Sequence, residues 1–477
     1  MNTGKVYIVG AGPGDAGLIT VKGEECLKHA DVILYDRLVN PLLLEKAEEN
    51  AERIYCGKLP DRHHLRQETI QELMIEKAKQ GLYVVRLKGG DPGVFGRSGE
   101  ETAALEETGI DYEIIPGISS GIAAPHYAGI PLTHRELSGS FAAITGHRSL
   151  DNSGASPDWN ALVRAVDTLV FYMGVKNLPI IAEKLKEHGK PSHTPVMLIE
   201  WGTTGRQRVI EGTLSDICTK ADNEQVQNPA ITLVGDVCSL RSEPSWFEKK
   251  PLYSRYVWVV KTSMPPSRVG EMLQENGAEV HEAPRFAAVP SASLLPDNIQ
   301  LYDSLSFLEA DSVPVFFEAL RKQKIDIRSL PEKIYAGTKR TQKKLEGYGI
   351  FPFLEKAPEQ EYSLLIGTKE SLPVRANHPV WISHRLHVNE NTRKTTARLV
   401  KDDMINTIVL PCAKAVDTLL CELDGIGVSA VEWTNNRTVI CYGPQTAQRA
   451  QAEGINVYST LEKPKQEELL KSVASLG

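Results

Sequence analysis

The chain has 477 residues, 41% of them hydrophobic and 24% charged, with a formal net charge of -7. This is ordinary globular composition, with room for two or three domains. The acidic balance argues against a general nucleic-acid surface, and the longest apolar runs, such as Thr168 to Met173, fall far short of a membrane span.

The first elements in chain order alternate strand and helix. Val6–Val9 reads as a strand, Leu18–His29 as a helix, Val32–Tyr35 as a strand and Gln67–Lys79 as a helix. Val84–Leu87 follows as a strand and Gly99–Glu107 as a helix. This βα alternation predicts a mostly parallel sheet. Three of its strands end in glycine: Gly10-Ala-Gly-Pro-Gly-Asp15, Gly89-Gly-Asp-Pro92 and Pro116-Gly-Ile-Ser-Ser120. Glycine lets backbone approach a ligand closely, so three such exits predict one pocket along the carboxyl edge of the sheet.

From about residue 135 a second α/β lobe is expected. Its predicted strands are Phe141–Thr145, Thr168–Met173, Val196–Glu200, Arg208–Gly212 and Ala230–Val234, with Gln207–Glu211 and Ala230–Val237 paired as a hairpin-like edge. Residues 241–252 carry two prolines and no periodicity, which reads as an exposed linker. Strands at Tyr256–Val260, Glu279–Ala283 and Thr438–Tyr442, with helices at Val269–Gln274 and Thr446–Glu453, mark a further α/β region.

Gly12, Gly14 and Gly17 match G-x-G-x-x-G, with Asp36 about 20 residues on, as in a dinucleotide-binding unit. A nicotinamide-dependent oxidoreductase is therefore an alternative. Against it, Pro13 removes an N–H from the turn and Asp15 would set a carboxylate beside the phosphates. Asp91 reads either as a ligand group or as a turn former. Asp36 and Lys58 are candidate proton-transfer groups, each with a bland alternative as a cap or a solvated charge. His134 and His147 lack metal-pair spacing and no G-x-S-x-G elbow occurs, so neither metal nor serine chemistry is expected. Seven scattered cysteines without a CxxC, and an N-terminus without a basic, apolar leader, lead us to expect a cytoplasmic protein.

Taken together, several segments resemble uroporphyrinogen-III C-methyltransferase, of the tetrapyrrole methylase family. They are the three glycine exits, Leu34-Tyr-Asp-Arg-Leu-Val39, Val94-Phe-Gly-Arg97, Tyr127 to Arg135, Thr145-Gly-His147, Leu169 to Gly174 and Asn228-Pro-Ala230. The resemblance spans about residues 4 to 240. It implies two α/β lobes with a cleft between them, S-adenosyl-L-methionine as methyl donor, and methylation of two ring carbons of uroporphyrinogen III to give precorrin-2, for sirohaem or cobalamin synthesis. It places cofactor contacts on Pro13, Gly89, Gly90, Asp91, Val94, Ser119, Ser120, Met173 and Gly202, the base on Asp36 and the acid on Lys58. It also implies a homodimer. Lys58, Arg62, His63, Arg66, Arg97 and Arg135 are sensible partners for the eight substrate carboxylates.

Residues 253–477 resemble uroporphyrinogen-III synthase, best at Val439-Ile-Cys-Tyr-Gly-Pro-Gln-Thr-Ala447. The resemblance implies two small α/β lobes joined by crossing strands. Two strand exits depart from that family, Lys261-Thr-Ser-Met-Pro265 and Phe307-Leu-Glu-Ala310, so weak or absent synthase activity is expected, with a non-catalytic scaffold as the alternative. The expected organisation is a methyltransferase domain at 1–240, a linker at 241–252 and a synthase-like domain at 253–477.

Overall fold

A computed structural model describes residues 4–57, 67–146, 157–264, 268–296, 298–369, 371–372, 378–462 and 465–475. The chain divides into two compact units. One comprises residues 1–260, 267–282 and 394–477, the other residues 261–266 and 283–393.

The first unit opens with a fully parallel sheet of β1 (Lys5–Gly10), β2 (Val32–Tyr35), β3 (Glu52–Tyr55), β4 (Tyr83–Lys88) and β5 (Tyr112–Ile115). Its order is β3-β2-β4-β1-β5. One face packs Val9, Ile33, Val85 and Leu87, the other Val6, Ile8, Val32 and Val84. Burial on both faces explains the near-continuous apolar strands. The order also excludes the dinucleotide-binding alternative. In that fold strand 1 lies beside strand 2, whereas here β4 separates them.

Three helices of this lobe are α1 (Val21–Lys28), α2 (Gln67–Lys79) and α3 (Ser98–Glu107). The first begins later than the predicted Leu18, because the Thr20 hydroxyl accepts a hydrogen bond from Gly23 N at 3.1 Å and caps the helix there. A short fourth helix, α4 (Ser120–Tyr127), follows the third glycine exit.

The second sheet holds β6 (Phe141–Thr145), β7 (Thr168–Tyr172), β8 (Pro195–Glu200), β9 (Arg208–Thr213) and β10 (Ala230–Val234), ordered β6-β7-β10-β8-β9. The expected pairing of the 207–211 and 230–237 segments does not form. The edge hairpin is β8 with β9, and β10 lies between β7 and β8. All five residues of β10 are buried, so a central place removes more apolar surface from water than an edge would.

Residues 241–252 are exposed at Ser242, Glu243, Pro244, Trp246, Lys249 and Pro251 and anchored at a few buried side chains. The Arg241 side chain is 4% exposed and donates to both Glu248 carboxylate oxygens, at 2.9 and 2.8 Å. Ser245 Oγ donates to Tyr127 O at 2.8 Å, and Phe247 stacks edge-on against Tyr127.

The unit is completed by a third sheet. Its strands include β11 (Tyr256–Val260) and β12 (Glu279–Ala283). The second unit contains β13 (Phe286–Pro290), a four-stranded parallel sheet of β14 (Ser304–Phe307), β15 (Lys333–Ala336), β16 (Ser363–Gly367) and β17 (Val380–Ile382), and β18 (His384–Val388), which pairs antiparallel with β13. The chain then returns to the third sheet of the first unit as β19 (Thr407–Leu410), β20 (Thr438–Tyr442) and β21 (Ser459–Leu461). Both parts of the C-terminal half are thus α/β, as the sequence predicts. Among the described residues no helix is long and apolar enough to cross a membrane, and no group of His, Cys, Asp or Glu is placed to hold a metal.

Candidate active site

The three glycine exits meet at one place. Gly12 N donates to Gly90 O at 3.2 Å, and Gly90 N donates to Gly12 O at 2.7 Å. A Cβ on Gly10 would meet Gly117 Cα at 2.6 Å. Only paired glycines allow backbone to pass that close. Asp91 fastens the assembly: one carboxylate oxygen accepts from Gly93 N at 2.8 Å and the other from Gly117 N at 2.9 Å.

A cavity of about 1310 Å³ opens beside these turns. Pro13, Gly89, Gly90, Ser120, Met173 and Gly202 line it. Asp91, Val94 and Ser119 do not. Asp91 is engaged within the turns, and the Ser119 hydroxyl lies 2.7 Å from Tyr172 Oη. Gly90 has φ +73°, and a Cβ there would meet nothing nearer than Ser120 N at 4.0 Å. Its missing side chain therefore leaves space in the cavity rather than relieving a clash. Met173, at φ +55° and 46% exposed, faces the site from the second lobe.

The lobes are joined by polar contacts that the sequence reading passed over. Tyr172 Oη accepts from Gly121 N at 3.0 Å as well as meeting Ser119, and burial raises its pKa. Thr203 Oγ1 accepts from Asp15 N at 3.1 Å, and Asp15 accepts from Tyr127 Oη at 2.7 Å. The Trp201-Gly-Thr-Thr-Gly-Arg206 segment after β8 is a fourth glycine-bearing strand exit, which is the signal that could have found it. A Cβ on Gly202 would collide with Ala124 of α4.

Asp36 lies at the end of β2, beside the cavity residues Tyr35 and Arg37, and its side chain is 32% exposed. Its Oδ1 accepts from Arg86 Nη2 at 2.5 Å. Arg86 and Lys88 alternate on one face of β4, and both reach the fully buried Glu101, at 3.2 and 2.9 Å. Two cations and two carboxylates thus neutralise one another beneath the site. Burial lowers the Lys88 pKa and the adjacent Arg86 charge lowers it further, while Glu101 and Asp36 oppose both. Two positive residues in an otherwise apolar strand were the legible signal for this network.

Lys58, Arg62, His63, Arg66 and His147 lie outside the described residues. Arg97 pairs with Glu100 at 2.6 Å, and neither it nor Arg135 lines the cavity. The described cations on the cavity wall are instead Arg37, Lys176, Arg206, Arg398 and Lys401.

The family model for Tetrapyrrole (Corrin/Porphyrin) Methylases matches residues 5–218. A uroporphyrinogen-III C-methyltransferase of Bacillus subtilis (strain 168) is 42% identical over 454 residues, covering 94% of this chain and 93% of the relative. One from Priestia megaterium is 57% identical over 234 residues, 49% of this chain and 98% of its own length. A porphyrin biosynthesis protein HemD of Ruminiclostridium josui is 32% identical over 511 residues, covering 100% of this chain and 99% of that protein. The crystal structure of uroporphyrin-III C-methyl transferase from Thermus thermophilus complexed with S-adenyl homocysteine is 39% identical, covering 50% of this chain and 100% of that one, with a TM-score of 0.43. With a near full-length relative at this identity and the glycine exits assembled around one cavity, the chain belongs to the uroporphyrinogen-III C-methyltransferase family.

Proposed function

We propose that this chain transfers methyl groups from S-adenosyl-L-methionine to two ring carbons of uroporphyrinogen III, giving precorrin-2. The observation that carries this is the convergence of three glycine exits on a cavity large enough for donor and acceptor together, in a chain of this family. Relatives acting on uroporphyrinogen III support the acceptor.

The cavity suits the donor. The open space at Gly90, the close backbone at Gly89, and Pro13, Ser120, Met173 and Gly202 around it offer backbone polar groups with little side-chain bulk. These residues would hold it, and when bound it supplies an electrophilic methyl group on a sulfonium. Asp91 serves by holding the turns together and Ser119 by anchoring Tyr172. Val94, whose N–H donates to Asp91 O at 3.2 Å, belongs to the same turn.

A pyrrole carbon that gains a methyl group must then lose a proton. Asp36 is the base in this proposal. Arg86 fixes one of its oxygens, and among the described residues no hydrogen bond reaches the other. A carboxylate held at one oxygen is oriented for proton transfer at the other. Lys58 is assigned as the acid from the family resemblance alone.

The same proposal includes a methyltransferase domain at 1–240 joined by 241–252 to a synthase-like domain at 253–477, a homodimer, and a cytoplasmic setting for sirohaem or cobalamin synthesis. The full-length match to a HemD protein favours the synthase-like assignment. Incubation of the full chain with uroporphyrinogen III and labelled S-adenosyl-L-methionine tests the central claim. A tetrapyrrole carrying two added methyl groups is expected. Absence of labelled product under anaerobic conditions would overturn it.

A further inference from the structure

The cavity wall is not built from the methyltransferase half alone. Residues 397–404, more than 140 residues beyond the 241–252 segment, place Arg398, Lys401 and Asp402 on it. Arg398 is held firmly. Its guanidinium lies 5.8 Å from the Tyr35 ring centroid and 5.7 Å from that of Tyr55, and its Nη2 donates to Arg37 O at 2.6 Å. Asp402 approaches Nε at 3.5 Å. The remaining nitrogen, Nη1, is buried without a hydrogen-bond partner among the described residues.

A second observation points the same way. The charged residues on the cavity wall are five cations against two acids, Glu279 and Asp402, a local balance of +3 in a chain whose net charge is -7. Two of the five cations, Arg398 and Lys401, come from the C-terminal half. A concave basic wall on an acidic protein concentrates anionic ligands. Planar N–H donors match a carboxylate better than any neutral group does.

We propose that the C-terminal half completes the acceptor site of the methyltransferase, with Arg398 and Lys401 binding peripheral carboxylates of the tetrapyrrole. This rests on the proposed function for the identity of the anion. On this account the second half positions the substrate of the first, whether or not it has chemistry of its own.

The test uses the full chain. Uroporphyrin, the fluorescent oxidised form with all eight carboxylates, is titrated into the unaltered protein and into Arg398→Ala, Arg398→Lys and Lys401→Ala. Coproporphyrin, with four carboxylates, is titrated in parallel. Arg398→Ala should weaken uroporphyrin binding about tenfold to a hundredfold, the range for a hydrogen bond to a charged group. Arg398→Lys should recover part of the loss, and coproporphyrin should respond less. The KM for uroporphyrinogen III should rise by a similar factor with kcat nearly kept, and S-adenosylhomocysteine affinity should not move.

Arg398 also packs on two tyrosines, so its truncation could disturb folding. Lys401→Ala, at an exposed position, asks the same question without that risk. Unchanged uroporphyrin affinity in the Lys401 variant and in a folded Arg398 variant would overturn the subsite. So would equal losses for the two porphyrins, which would indicate packing, or no porphyrin binding by the unaltered chain. Failure of methyl transfer with Arg398-dependent uroporphyrin binding would instead overturn the functional reading and leave the carboxylate subsite standing.

Discussion

Asp36 and Arg86 form a 2.5 Å ion pair from neighbouring strands, with the arginine 3% and the aspartate 32% exposed. The aspartate meets the solvent side and the arginine is sealed beneath it. Glu101, fully buried, compensates Arg86 and Lys88 from below. The orientation of the proposed base therefore depends on a residue 65 positions away that never reaches the cavity wall.

Asp36→Asn keeps the shape of the side chain and removes its basicity. Methyl transfer is expected to fall by ~10²–10⁴, the usual share of general acid–base help. Single-turnover kinetics measures this, with calorimetry confirming that S-adenosylhomocysteine still binds. Near-normal turnover would reassign Asp36 to holding Arg86.

Glu101→Leu leaves Arg86 and Lys88 as like charges with no shared carboxylate. Breaking a buried charge network by removing one partner costs ~3–5 kcal/mol. Urea unfolding followed by circular dichroism should show a loss of that order. A change under ~1 kcal/mol would mean that Lys88 simply gives up its proton, a shift its burial already favours.

Gly90 and Gly117 should respond differently to alanine. At Gly117 the new Cβ would lie 2.7 Å from Gly10 Cα, so overpacking should cost ~1–3 kcal/mol in stability. At Gly90 there is space, but φ is +73°, which costs an L-residue ~1–2 kcal/mol. A larger side chain there enters the cavity, so Gly90→Val should weaken S-adenosylhomocysteine binding in a protein that still folds. Calorimetry on both variants decides the matter; unchanged affinity in folded Gly90→Val would remove Gly90 from the donor site.

Glu279, on β12, is half-buried, and desolvation pushes its pKa from 4.5 up to about 7. A hydrogen bond from Gly205 N at 2.5 Å and the Arg206 charge oppose the shift, and the charge of Asp15 adds to it. The folded state thus holds this proton more tightly than the unfolded chain. Its contribution to stability is complete below about pH 4.5 and is lost as pH rises through about 7. The effect is on the order of 3 kcal/mol at most. Thermal midpoints of the unaltered chain and Glu279→Gln, measured across this window, should converge at low pH and diverge above it. Parallel curves would show that Glu279 is ionised in the folded protein throughout.

The individual elements of the first lobe were legible because each is local. Apolar strands ending in glycine announce themselves over ten residues, and Thr20 caps α1 through a bond to a residue three positions on. The 207–211 and 230–237 segments do not pair with each other, although they lie close in sequence. Their partners are chosen by how much each strand must bury, which depends on the whole sheet. The 241–252 segment is half exposed, and the contacts that anchor Arg241, Ser245 and Phe247 join residues that no local pattern pairs.

What the sequence by itself determined is the family, the α/β class and the glycine turns, since these rest on residue types at fixed short spacings. Only the tertiary structure decided that Asp91 fastens the turns and lies off the cavity wall, that β4 separates β1 from β2, and that Arg398 reaches the cavity from the far end of the chain. Each of these depends on contacts between residues tens to hundreds of positions apart. Such contacts are set by packing and charge compensation, and no local pattern records them.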